Sequence, residues 1–199
     1  MSRPFILFLS FVFAGSLQAA LAQNTIASIR KAYQEQKQVI AEMNDDFPSG
    51  GYPPVFYELN VVENLPATGL HRENLRFYFG ELPDDSTPYP PHYLSFVTSK
   101  YNFAAREFYE EYLYDDKGQV MFIYAMTPDF DFPKIHEFRF YFDGARLLRL
   151  SIKEGLKEES KEIYNGNTIP ESYAEFCSYY TSRASRLLDL FKSIESNKL

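Results

Sequence analysis

Acidic and imidazole side chains occur close together in one stretch, where Asp129, Asp131 and His136 lie at the connection between two predicted strands. Oxygen and nitrogen ligands of this kind can hold a divalent metal ion and activate a water molecule for hydrolysis. The pattern also has an ordinary explanation, because aspartate is a common turn residue and Glu137 has a predicted cross-strand partner in Arg149. A small metal-assisted hydrolase with a site near Asp129, Asp131 and His136 is therefore the alternative function.

A second kind of candidate site combines aromatic rings with prolines in three predicted loops, at residues 51–54, 88–93 and 128–133. Proline stiffens each segment, so an aromatic side chain there loses little entropy when it meets a partner. If the loops cluster at one end of the sheet, their rings form a rigid patch suited to sugars or to a protein. The other interpretation is that the rings fold back to cover a sheet edge. The candidate ligand-binding residues are Tyr52, Tyr89, Tyr93, Phe130 and Phe132.

Cys177 is the only cysteine and the first candidate for a nucleophile. It lies on the apolar stripe of a predicted C-terminal helix, between Tyr173 and Tyr180, so we expect a buried structural residue. Apolar surroundings raise the pKa of a thiol and keep it unreactive. A lone cysteine also cannot form an intramolecular disulfide, so packing must stabilise the chain.

The other ionisable residues form no catalytic set. Glu110 and Glu111 are adjacent in a predicted strand, so their side chains point to opposite faces and cannot flank one glycosidic bond. The three histidines, His71, His92 and His136, lie on separate predicted strands. The GxSxG, P-loop, GxGxxG and HExxH motifs do not occur. We therefore assign no catalytic residue and no cofactor, and a non-enzymatic protein is favoured.

Residues 1–22 have the pattern of a cleavable export signal. Arg3 precedes an apolar run that is too short to span a bilayer, and small residues close it in the A-x-A pattern at Ala20 and Ala22. No cysteine stands at the cleavage site to carry a lipid. We expect residues 23–199 to be a single domain that is exported, periplasmic or secreted, and not lipid-anchored.

Hydrophobic periodicity predicts helices at both ends of an antiparallel sheet. A thin apolar stripe from Thr25 to about Asn44 predicts an N-terminal helix with one narrow buried face. A longer stripe after Pro170 predicts a C-terminal helix, with Ser172 and Glu175 at capping-box spacing. The strand-like segments are 55–63, 70–80, 92–100, 106–115, 119–127, 135–142 and 146–153. The predicted fold is α+β, a β-meander of about six to seven strands flanked by the N-terminal helix and by a C-terminal helix packed on the sheet.

The last two of these strands show how the faces are predicted. Paired residues in a hairpin point to the same side of the sheet. A three-residue loop that ends at Gly144, with Gly144 at positive φ, places Phe138 opposite Leu148. The same register places Glu137 opposite Arg149. It predicts one apolar face and one salt-bridged face.

Three segments carry a resemblance to a known group of proteins. They are residues 89–94 (Tyr-Pro-Pro-His-Tyr-Leu), 104–111 (Ala-Ala-Arg-Glu-Phe-Tyr-Glu-Glu) and 115–118 (Asp-Asp-Lys-Gly). Over roughly residues 70–155 the chain resembles uncharacterised exported proteins of gut-type Gram-negative bacteria, a family of unknown function. The resemblance implies delivery to a bacterial periplasm or beyond, and it implies no site residue.

Charge and hydropathy narrow the classes of partner. The formal net charge of −7 argues against nucleic acid and anionic lipid, which both need a cationic surface. After the signal no segment is apolar for long enough to cross a membrane. The expected partner is a protein or a carbohydrate. The favoured function is thus a non-catalytic binding or interaction module that uses its aromatic and proline loops.

Overall fold

The computed structural model of the chain describes residues 25–43, 55–83, 86, 90–156 and 159–197. The predicted signal, residues 1–22, and the candidates Tyr52 and Tyr89 lie outside the described residues. The described part is an α+β fold built on one antiparallel sheet, in which the order of the strands follows the chain. The predicted fold class and meander are therefore confirmed.

The sheet has eight strands with a helix before and after it. The strands are β1 (Phe56–Leu65), β2 (Gly69–Glu81), β3 (His92–Phe103), β4 (Arg106–Tyr114), β5 (Val120–Pro128), β6 (Ile135–Asp143), β7 (Arg146–Gly155) and β8 (Lys161–Gly166). Helix α1 covers residues 25–43. Helix α2 covers Ala174–Ser196.

The prediction of six to seven strands missed β8. Among the described strands it pairs only with β7, and most of its residues are polar. Its one aliphatic side chain, Ile163, is 38% exposed. Short, charged sequences are typical of edge strands, and they lack the alternation by which an inner strand is recognised.

Helix α2 lies across the strands rather than along them. Near its start, the rings of Tyr173 and of Phe138 in β6 lie 5.7 Å apart. Near its end, the rings of Phe191 and of Tyr57 in β1 lie 6.0 Å apart. Its 23 residues extend about 34 Å, close to the width of eight strands. All eight strands consequently contribute side chains to the apolar cluster beneath it.

Helix α1 lies on the opposite face of the sheet. Its buried Ile26 belongs to a second apolar cluster, and its Tyr33 ring packs edge-on against Phe122 of β5 with centroids 4.8 Å apart. The sheet is therefore the middle of three layers. Tyr112 and Leu113, neighbours in β4 on opposite faces, are accordingly 0% and 3% exposed.

The turn between β6 and β7 is shorter than predicted. Asp143 pairs with Arg146 across the two-residue turn Gly144-Ala145. The predicted positive φ of Gly144 is confirmed, at +59°. A two-residue turn with glycine in its first position matches the twist of the two strands.

The predicted pairing of β6 with β7 is also wrong, and β7 contains a bulge. Phe142 pairs with Leu147 but Tyr141 pairs with Arg149, so Leu148 of β7 is the extra residue, and beyond it Phe138 pairs with Ile152 instead of Leu148. Leu148 is buried on the α1 face of the sheet. The prediction failed mainly because the turn lies at Gly144-Ala145 instead of ending at Gly144, which alone would place Phe138 opposite Ser151. The bulge then moves the partner by one more residue, to Ile152.

Helix α2 starts without the predicted capping box. Pro170 stands at the cap position of a 3₁₀ turn, Glu171–Tyr173, and neither this turn nor α2 has a side-chain cap hydrogen bond. The N–H of Tyr173 bonds to the carbonyl oxygen of Pro170 at 3.0 Å, so the tighter turn replaces the cap. In the ranges described, no helix is both long and apolar enough to cross a bilayer.

Candidate binding site

The connection between β5 and β6, residues 129–134, is held in place by Arg106 at the start of β4. The Arg106 guanidinium donates to the carbonyl oxygen of Asp129 at 3.3 Å and to that of Phe130 at 2.7 Å. It also lies over the Phe130 ring, 4.8 Å from the centroid. One side chain from a neighbouring strand therefore fixes both the backbone and the ring of this loop.

Asp129 organises the same loop from within. Its Oδ1 accepts the backbone N–H of Asp131 at 2.8 Å and that of Phe132 at 3.0 Å. These bonds, the one from Asp131 first, hold the pKa of Asp129 below its ordinary value. The N–H of Asp129 donates to the carbonyl oxygen of Lys134 at 2.9 Å. The turn-forming interpretation of Asp129 is thus confirmed.

The rings on this loop face solvent. Phe130 is 50% exposed and Phe132 is 61% exposed. Leu156, 58% exposed, lines the same open depression of about 490 Å³. The ring of Phe103 lies edge-on to Phe130, with centroids 6.3 Å apart. We call these four residues, Phe103, Phe130, Phe132 and Leu156, the Phe130 patch.

Tyr93 does not join the Phe130 patch. It lies near the start of β3, and in an antiparallel meander the β2–β3 and β5–β6 connections stand at opposite ends of the sheet. Its ring packs across Gly80 in β2, where an added Cβ would come within 2.7 Å of the ring. The condition that the aromatic loops cluster at one end of the sheet therefore does not hold for Tyr93 and Phe130.

His136 is engaged in a salt-bridge cluster at the edge of the α2 face. Its Nε2 lies 3.2 Å from Oε2 of Glu154, whose Oε1 accepts Lys134 Nζ at 3.0 Å. The hydrogen bond from Lys134 holds the pKa of Glu154 below its ordinary value. Asp129 Oδ2 lies 3.8 Å from the same Lys134 Nζ. Lys134 therefore links Asp129 to Glu154, the partner of His136, and supplies the positive charge that the alternative function would assign to a metal ion.

Glu137 is on the other face of β6. It lies opposite Lys153, and its carboxylate accepts Arg139 Nη2 at 2.8 Å. The predicted pairing of Glu137 with Arg149 is wrong because of the position of the β6–β7 turn and the bulge in β7. Over the part of the chain that the structure describes, no group of three or more His, Cys, Asp or Glu residues is placed to hold a metal ion.

Three residues of the site were missing from the sequence prediction: Phe103, Arg106 and Leu156. Phe103 and Arg106 are the closing pair of the β3–β4 hairpin. Alternate connections of a meander lie at the same end of the sheet, so the β3–β4 turn must stand beside the β5–β6 loop. The predicted strand order thus contained a signal for Phe103 and Arg106, whereas Leu156 carried none.

Cys177 has the structural role that was predicted for it. The residue is 0% exposed in the cluster beneath α2. Burial raises the pKa of its thiol to about 11. The thiol is therefore protonated at neutral pH and is shielded from solvent.

Comparison of the chain with protein-family models, with curated proteins and with solved structures gives no match. The site must therefore be interpreted from its own geometry. That geometry combines an exposed apolar patch, a loop fixed by hydrogen bonds, and ionisable side chains that are paired with one another.

Proposed function

We propose that the protein is an exported, non-catalytic module that binds another protein through the Phe130 patch. The observation that carries this proposal is the exposure of Phe130 and Phe132, at 50% and 61%, on a loop that Arg106 and Asp129 hold in place. A preorganised aromatic side chain loses little conformational entropy on binding. Exposed rings of this kind are typical anchors of protein interfaces.

The chemistry of the Phe130 patch favours a protein partner over a sugar. A cation already covers one face of each ring: Arg106 lies over Phe130, and Lys134 Nζ lies 5.1 Å from the Phe132 centroid. The rest of the patch is the phenyl ring of Phe103 and the side chain of Leu156, which offer no hydrogen bonds to hydroxyl groups. Apolar edges of this kind fit the apolar core of a protein interface.

The test uses the substitution Phe132→Ala with Val62→Ala as its matched control. Val62 is 59% exposed on β1, so both changes remove an equally exposed apolar side chain. We expect the purified chain to capture a specific protein from an envelope extract. We expect Phe132→Ala to lose that protein while Val62→Ala retains it, with the melting temperatures of both variants close to that of the parent.

Three results would contradict the proposal. One is equal capture by the two variants. Another is capture that depends on a polysaccharide in the extract and is lost after glycosidase treatment, which would make the patch a carbohydrate site. The third is a rise in melting temperature with calcium, zinc or manganese that Asp129→Asn abolishes, which would favour the metal-assisted hydrolase.

A further inference from the structure

A cleft lies between α1 and strands β4 to β6, on the face of the sheet opposite α2. Its volume is about 450 Å³, within the range of small-molecule sites. Both the helix and the sheet contribute polar and aromatic side chains to its walls. Those that matter for recognition are Arg30 and Tyr33 from α1, with Glu111, Tyr124, Arg139 and Tyr141 from the sheet.

Two guanidinium groups in the cleft are held by tyrosine rings. Arg139 lies over the Tyr124 ring, 5.3 Å from its centroid. Arg30 lies over the Tyr141 ring at 5.4 Å, and its Nε donates to the Tyr141 hydroxyl at 3.3 Å. Arg139 and Tyr141 share a face of β6 at a separation of about 7 Å. Both arginines are therefore positioned at the same part of the cleft.

These arginines retain unused hydrogen-bond donors. Within the described ranges Arg139 gives one bond, from Nη2, to Glu137. Among the described residues, no carboxylate lies within ion-pair distance of Arg30, whose one hydrogen bond is to Tyr141. A guanidinium group has five N–H donors in a planar fork. The cleft therefore presents several oriented cationic donors that no acceptor among the described residues occupies.

The carboxylate in the wall of the cleft, that of Glu111, accepts no hydrogen bond from these two arginines among the described contacts. Glu111 has a side chain that is 2% exposed, and it accepts Lys37 Nζ at 2.5 Å. It also accepts the hydroxyl of Tyr109 at 2.6 Å and that of Tyr33. Its charge is thus balanced by Lys37 and its oxygens are occupied, so an anion that enters the cleft meets the arginines rather than a free carboxylate.

We propose that this cleft binds a small organic carboxylate of about monosaccharide size. The guanidinium groups of Arg30 and Arg139 bind the carboxylate, because the planar fork matches its two oxygens. The hydroxyl of Tyr124 and the amide of Gln34 line the same space and bind hydroxyl groups of the ligand. A hexuronic acid has this combination of size, charge and hydroxyl groups. The site is separate from the Phe130 patch and does not depend on the protein partner.

The test is calorimetric titration of the full chain with D-glucuronate and with D-glucose, which lacks the carboxylate. We expect saturable binding of D-glucuronate and none of D-glucose. Arg30→Gln and Arg139→Gln should each weaken binding by about tenfold or more, since each removes charge-assisted hydrogen bonds. Arg72→Gln is the matched control, because Arg72 is an exposed arginine on the same face of the sheet, outside the cleft.

The outcomes separate the proposal from a general effect of positive charge. Equal weakening by Arg72→Gln, or equal binding of D-glucose, would overturn it. Failure of D-glucuronate, D-galacturonate and benzoate alike to bind would also overturn it. Retained melting temperatures of the arginine variants show that a loss of affinity is not a loss of fold. Phe132→Ala should leave D-glucuronate binding unchanged, so this proposal and the Phe130 patch fail or succeed separately.

Discussion

Glu110 and Glu111 are consecutive in β4, yet their carboxylates lie on opposite faces of the sheet and both residues are 1% exposed. Each carboxylate accepts a hydrogen bond from one cation and from two tyrosines. The donors are Arg183, Tyr101 and Tyr112 for Glu110, and Lys37, Tyr33 and Tyr109 for Glu111. Because Arg183 belongs to α2 and Lys37 to α1, this dipeptide links the sheet to both helices.

Glu110→Gln should lower the free energy of unfolding by about 3 kcal/mol, the lower end of the range for breaking a buried ion pair. Arg183 Nε lies 2.7 Å from the Glu110 carboxylate, and the guanidinium keeps Glu73 as a second partner. Urea unfolding followed by far-ultraviolet circular dichroism measures the change. Glu107 is an exposed residue of the same strand. The substitution Glu107→Gln should change the free energy of unfolding by less than about 0.5 kcal/mol. Equal effects of the two substitutions would refute the role of Glu110.

Tyr33→Phe should weaken the attachment of α1 by removing one of the donors to Glu111. A hydrogen bond to a charged group contributes about 1.5–3 kcal/mol. Hydrogen exchange of the α1 amides provides the measurement, and we expect faster exchange over residues 25–43. Tyr93→Phe is the control, since the Tyr93 hydroxyl has no hydrogen-bond partner among the described residues. Unchanged exchange in Tyr33→Phe would mean that apolar contacts alone hold the helix.

Stability should decrease in alkaline solution, because burial raises the pKa of Tyr112 and Tyr114 above the ordinary value of 10.0. A raised pKa in the folded state leaves stability complete below pH about 10, where tyrosine is protonated in both states. Above that pH the unfolded chain ionises first, so stability falls as the pH rises. Absorbance of tyrosinate measured together with circular dichroism tests this. We expect part of the tyrosinate absorbance to develop only as the fold is lost. Full ionisation of the tyrosines with an unchanged circular dichroism spectrum would contradict this prediction.

The periodic elements of the fold were predictable because the side-chain period reports which face is buried. Alternation in β4 placed Glu110 and Glu111 on opposite faces, as observed. The apolar stripe of α2 similarly placed Cys177 in the core. Features without a period were missed, namely the bulge in β7 and the charged edge strand β8.

The candidate site was predictable only in part. Phe130 and Phe132 were predicted to lie in a loop, and the structure places both there with exposed rings. Their separation from Tyr93 follows from which end of the sheet each connection occupies, a property of strand order rather than of local sequence. The cleft beside Arg30 was not predicted at all, since it requires α1 to lie over β4 to β6.

The sequence by itself determined the fold class, the two amphipathic helices and the burial of Cys177, because local periodicity and side-chain chemistry suffice for these. Only the tertiary structure decided that α1 and α2 cover opposite faces of the sheet. It also decided that Arg106 holds the Phe130 loop and that Arg30 and Arg139 share a cleft. Such contacts join residues far apart in the chain, and their geometry depends on register shifts and helix crossing, which a one-dimensional pattern does not encode.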